Sequence, residues 1–141
     1  MADRIAWEEG PMPPGATRED AALRRLVAAR RPIATPPQLV HGDLTGNVLF
    51  ADDAPPAVID FSPYFRPPGY ALGVVIADAV VWHGATLDLL GAVAGRPDMG
   101  QCLIRALLFR HVTAILLDRR VAFGLAAERY EALLTEALRL G

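Results

Sequence analysis

A chain of 141 residues, 52% of them hydrophobic and 21% charged, has the length of one domain and enough apolar side chain to bury a core, which excludes a disordered segment. Its formal net charge of -2, without a long basic run, excludes the positive field that would gather nucleic acid or an anionic membrane. All 14 basic residues are arginine, and the single Cys102 permits no internal disulfide, so the cytoplasm is the default compartment.

Residues 1–16 carry Gly10, Pro11, Pro13, Pro14 and Gly15, so an irregular lead-in is expected, with Trp7 attached to the body behind it. The segment around Met1 has no apolar stretch of signal-peptide length, and no window of 18 uncharged apolar residues follows, so a soluble, untargeted protein is expected. Thr17-Arg18-Glu19-Asp20 resembles a capped helix start, and Leu23, Leu26 and Val27 continue it toward Pro32, giving a first helix over about 18–31. The one domain is then 17–141.

Beyond Pro36-Pro37, three short apolar runs read as strands: Gln38–Val40, Asn47–Phe50 and Ala57–Ile59. The last two form a hairpin across Asp52, Asp53, Pro55 and Pro56. A proline-rich loop holding Pro63, Pro67, Pro68 and Gly69 follows. Apolar spacing then turns helical over Tyr70–His83, Leu87–Ala94, Met99–Arg120 and Leu125–Leu140, with Gly84, Gly95, Pro97 and Gly124 as breaks. The last run places Leu133, Leu134, Ala137 and Leu138 on one side, as a packing helix does. The fold class is therefore α+β, mostly α-helical, with one small β element.

Chemistry concentrates in His41-Gly42-Asp43-Leu44-Thr45-Gly46-Asn47 and in Val58-Ile59-Asp60-Phe61. Phosphoryl transfer needs a carboxylate to orient or deprotonate the acceptor hydroxyl, and oxygen ligands that hold Mg²⁺ against the phosphates. Asp43, Asn47 and Asp60 are residues of those types. A loop between strands for the first two, and the end of a return strand for the third, brings them to one edge of a hairpin. Gly42 and Gly46 remove Cβ atoms where such a loop turns sharply.

Over residues 38–84 this pattern resembles the catalytic core of the aminoglycoside phosphotransferase family, relatives of protein kinases, and within it an actinobacterial branch. The resemblance implies a kinase-like C-terminal lobe whose short β-hairpin carries the catalytic loop. It also implies Asp43 as catalytic base, Asn47 and Asp60 as Mg²⁺ ligands, and His41 with Gly42 as structural members of the loop. ATP and Mg²⁺ would be the cofactors and a small-molecule hydroxyl the acceptor.

Three departures stand out. Asn47 follows Asp43 by four residues where the family usually has five, although the interval from Asn47 to Asp60 is kept. Ala71 stands where relatives commonly carry an Asp that braces the catalytic loop, and Asp78, two turns onward, is no simple substitute. Finally, a chain without lysine has no phosphate-gripping strand Lys, and no Gly-rich loop precedes His41, so the nucleotide-binding N-terminal lobe is read as absent.

Two function classes follow from this pattern. One is the C-terminal lobe of an O-phosphotransferase, inactive until a nucleotide-binding lobe is supplied. The other is a non-catalytic, truncated kinase-like module whose exposed apolar face takes a missing lobe or a second copy as partner. A third reading, an unrelated helical domain with a hairpin, requires Asp43 and Asp60 to lie far apart. The scattered Asp88, Asp98, Asp118, Glu128, Glu131 and Glu136 do not make the acidic cleft that a polycationic aminoglycoside favours, so the family name assigns no acceptor. His83 and His111 read as structural, and the pairs Arg24-Arg25, Arg30-Arg31 and Arg119-Arg120 as solvated helix faces.

Overall fold

The computed structural model describes residues 1–16, 20–118 and 126–141. In chain order they form α1 (Ala2–Ala6), α2 (Ala21–Ala28), β1 (Gln38–His41), β2 (Val48–Ala51), β3 (Ala54–Val58) and β4 (Pro63–Arg66). There follow α3 (Pro68–Val81), a 3₁₀ segment (Leu87–Val93), α4 (Met99–Leu116) and α5 (Ala127–Leu140).

The core is built around α4, which is apolar on nearly every side and buries Cys102, Leu103, Ile104, Ala106, Leu107, Leu108 and Val112 completely. Its 18 residues would suffice to cross a membrane by length and composition alone. However, 78% of the helix is buried inside the fold and it carries Arg105 and Arg110, so it is the central helix of a packed domain. Against it lies α3, and the two backbones come close because Gly73 has no side chain: a Cβ there would sit 3.1 Å from both the Ala106 Cβ and the Cys102 carbonyl oxygen. Helix α5 turns Tyr130, Leu133, Leu134 and Ala137 inward at positions i, i+3, i+4 and i+7, covering α4 from the other side.

Several sequence expectations are corrected here. The opening segment is not irregular throughout: Ala2, Ile5 and Ala6 are buried as one turn of helix against α4. A five-residue helix has too little local propensity to announce itself, and tertiary burial is what makes it form. Trp7 sits between two guanidinium groups, Arg66 and Arg105, each 4.9 Å from its ring centroid, and meets Tyr70 edge-on at 5.4 Å. Arg66 also reaches Asp3 (2.6 and 3.2 Å) and Glu9 (2.8 Å twice), which ties the N-terminal segment to β4.

The helix expected over 18–31 is shorter, Ala21–Ala28, and its N-cap is Asp20, whose carboxylate accepts from the Leu23 N–H at 2.9 Å. The alternative cap at Thr17 lies outside the described residues, as do Arg119-Arg120 and the region 121–125 where the last helix was expected to begin. Arg30 is not merely a solvated charge, because it donates to the Ile5 and Val27 carbonyls. Leu87–Val93 is 3₁₀ rather than α-helical; Gly91 weakens it within and Gly84 and Gly95 bound it closely.

The β region consists of two antiparallel ribbons. β2 and β3 form the expected hairpin, but Pro55 and Pro56 belong to β3, so only Asp52 and Asp53 make the turn. A ribbon of two strands has open edges, and proline is tolerated there. The stretch expected as a proline-rich loop contains β4, which pairs with β1 from Gln38↔Arg66 to His41↔Pro63. The loop from Gly42 to Asn47, expected to be carried on the hairpin, thus lies between the two ribbons at its base.

Cys102 is fully buried under α3, and burial, with the negative field of Asp98 adding to it, pushes its thiol up to about 11. Alkylation by iodoacetamide at neutral pH should therefore be undetectable in the folded protein. It should appear across a denaturant series only in step with the loss of helical circular dichroism.

Candidate functional site

The site begins where β1 ends. His41 is buried, and its Nδ1 accepts the Asp43 N–H at 3.0 Å while Nε2 lies 3.2 Å from the Ile59 carbonyl. A ring accepting at Nδ1 carries its proton on Nε2, so that atom donates to Ile59. One imidazole therefore links the loop to the residue before Asp60, and Phe61 packs edge-on against it at 5.3 Å.

Gly42 continues the β1–β4 ladder through its N–H to the Ser62 carbonyl at 2.9 Å. A Cβ at this position would fall inside the Tyr64 ring, so glycine is required by the close approach of that side chain. Burial, followed by the negative fields of Asp3 and Asp43, raises the Tyr64 phenol above its ordinary value. From Leu44 to Asn47 the chain closes a tight turn, with the Asn47 N–H donating to the Leu44 carbonyl at 2.9 Å and Gly46 at φ +82°. A positive φ at the third position is what a type II turn demands, and glycine adopts it without strain.

Asn47 is held twice. Its Nδ2 donates to the Asp43 carbonyl at 2.7 Å, and its own carbonyl accepts from the Ile59 N–H at 3.0 Å. With Nδ2 committed to the loop, Oδ1 is the atom that Asn47 presents. Asp60 follows directly, exposed and in the left-handed conformation at φ +47°, a backbone state that Asp tolerates better than most residues.

Asp43 is half-exposed, at 46% for its side chain, and Oδ1 accepts from an Arg110 guanidinium nitrogen at 2.7 Å. Arg110 comes from α4 and also grips Asp78 of α3 with two donors, Nε at 2.7 Å and the same NH2 group. Burial works against the Arg110 charge, but the hydrogen bonds and fields of Asp78 and Asp43 outweigh it and hold its pKa above the ordinary value. Sequence reasoning missed Arg110 altogether and dismissed Asp78 as a brace. Asp78 does not touch the loop itself, yet reaches it through Arg110. Each is a charge inside a mostly apolar helix, and such a charge signals a buried partner without naming it.

The donors available to a cation are all oxygen. Among the described residues no group of three or more His, Cys, Asp or Glu side chains could hold a metal. Asn47 and Asp60 with phosphate and water oxygens fit Mg²⁺, which keeps much of its coordination outside the protein. The buried hydroxyl of Thr45, inside the loop, has no hydrogen-bond partner among the described residues. A cavity of about 770 Å³ elsewhere is lined by Leu87, Arg96, Asp98, Gln101 and Arg139 and includes none of these residues.

The family model described as the Phosphotransferase enzyme family (APH) matches residues 2–103, close to three quarters of the chain. The chain belongs to this family. The phosphotransferase match is wider than the 38–84 stretch that carries the motifs, taking in α1 at one end and the first turns of α4 at the other. It contains Asp43, Asn47, Asp60 and Asp78, and it ends before Arg110. No curated protein and no solved structure matches the chain.

Replacing Gly42 by Ala should force the Tyr64 ring aside and disturb the loop next to Asp43. Overpacking of this kind costs about 1–3 kcal/mol. Chemical denaturation should show a loss of that size, and the Gly42→Ala/Tyr64→Ala double variant should recover part of it.

Proposed function

We propose that this chain is the C-terminal lobe, spanning 17–141 behind the N-terminal segment, of a cytoplasmic small-molecule O-phosphotransferase that uses ATP and Mg²⁺ once a nucleotide-binding lobe is supplied. The observation that supports it most is the double anchoring of Asn47. One side-chain bond to the Asp43 carbonyl and one backbone bond from the Ile59 N–H tie Asn47 to Asp43 and to the residue before Asp60, in a loop one residue short.

In this reading Asp43 orients the acceptor hydroxyl and takes its proton through Oδ2, the oxygen not engaged by Arg110. Asn47 Oδ1 and the Asp60 carboxylate hold Mg²⁺, which supplies charge neutralisation at the phosphates when bound. His41 sets the distance between the loop and the Asp60 segment, and Gly42 lets Tyr64 pack beneath it. The acceptor is a small-molecule hydroxyl, and the family name does not make it an aminoglycoside. Asp98 is spent on Thr35 and the Ala34 N–H, Glu131 on Arg25 and Glu136 on Arg139, so these acids form no cleft for a polycation.

Mn²⁺ in place of Mg²⁺ gives a direct test. It should broaden the NMR signals of residues around Asn47 and Asp60 first, and Asp60→Ala should weaken that effect at least tenfold. Broadening centred elsewhere, or unchanged by Asp60→Ala, would refute the ligand assignment.

A second reading, a non-catalytic interaction module, is favoured by a separate observation. Leu39, Leu49, Phe50, Val58, Ile59, Phe61 and Phe65 are all exposed, Phe50 at 78%. Leu39 and Phe65 are directly paired across β1 and β4, so the patch is in part continuous. It predicts self-association or capture of a missing lobe. Light scattering should return more than one monomer mass at tens of micromolar, and a clean monomer would count against self-association.

A further inference from the structure

We propose that Arg110, fixed by the buried Asp78, is the positioning residue for Asp43, a two-link relay from α3 through α4 to the loop. The proposal rests on the reading of Asp43 as the proton acceptor. Asp78 is only 5% exposed at its side chain, and Arg110 17%, whereas Asp43 is 46% exposed. The order of burial runs from anchor to working group.

A guanidinium is planar and its donors keep fixed directions. Two donors on Asp78 settle the plane of Arg110, and its NH2 group is then aimed at one oxygen of Asp43, Oδ1, at 2.7 Å. Oδ2 takes no bond from Arg110. The relay inherits its rigidity from the helix pair beneath it. Gly73 lets α3 touch α4 at Cys102 and Ala106, and Asp78 and Arg110 lie about one turn further along the same two helices. A lysine could reach one of the two carboxylates as a point charge but could not span both in a fixed plane.

Removing Arg110 alone would strand a buried carboxylate, so the informative variant is Arg110→Gln combined with Asp78→Asn, which leaves no uncompensated charge inside. Amide hydrogen exchange on the full 141-residue chain needs no substrate and no catalysis. In the pair variant the amides of residues 43–47 should exchange at least tenfold faster while those of α3 and α4 keep their protection. Arg110→Lys should fall between the pair variant and the unaltered protein.

Unchanged exchange in the loop, or an Arg110→Lys protein as loose as the pair variant, would overturn the relay. Failure of the wider reading shows itself differently. In a preparation that transfers phosphate, Asp43→Asn would leave turnover intact even though the loop had loosened as described. If both readings hold, the pair variant lowers kcat at least tenfold with the KM for ATP little changed.

Discussion

The site depends on the contact between α3 and α4 at Gly73. The two helices approach closely only because Gly73 has no side chain, since a Cβ there would come within 3.1 Å of the Cys102 carbonyl oxygen and the Ala106 Cβ. The side-chain contact that orients the Asp43 carboxylate is borne by this pair. Asp78 leaves one helix and Arg110 the other, and β1, which delivers the loop, is packed against α3. The N-terminal segment completes the frame, since Trp7 between Arg66 and Arg105 connects β4 to α4.

The loop between Asp43 and Asn47 is short and closed. A tight turn at Thr45-Gly46 closes it. Glycine at the position of positive φ makes that turn accessible, and the Asn47 side chain fastens it back onto the Asp43 carbonyl. The loop is thus held at three points: His41 beneath, Asn47 across and Arg110 at its outer face.

Around this ordered centre, the two ribbons carry a run of exposed apolar side chains from Leu39 to Phe65. Two-stranded ribbons have open backbone edges as well, so both apolar surface and unpaired strand are presented beside the loop. A phosphotransferase lobe and an interaction module both require such a surface, and it is the feature on which the two readings converge.

The sequence by itself determined the family, the loop and its neighbours. His41, Gly42, Asp43, Asn47 and Asp60 are legible because they are close in the chain, and the types and intervals of neighbouring residues constrain chemistry directly. It determined the hairpin and the long helices too, since those follow from local periodicity.

Tertiary structure decided what depends on distant partners. The helical opening turn of the chain, the pairing of β4 with β1 and the Asp78–Arg110–Asp43 relay join residues from about 20 to more than 60 positions apart. No local pattern encodes those distances. An Asp in one apolar helix and an Arg in another each require a partner, but only the packing of α3 on α4 makes them each other's, and only the course of β1 brings Asp43 to the same guanidinium.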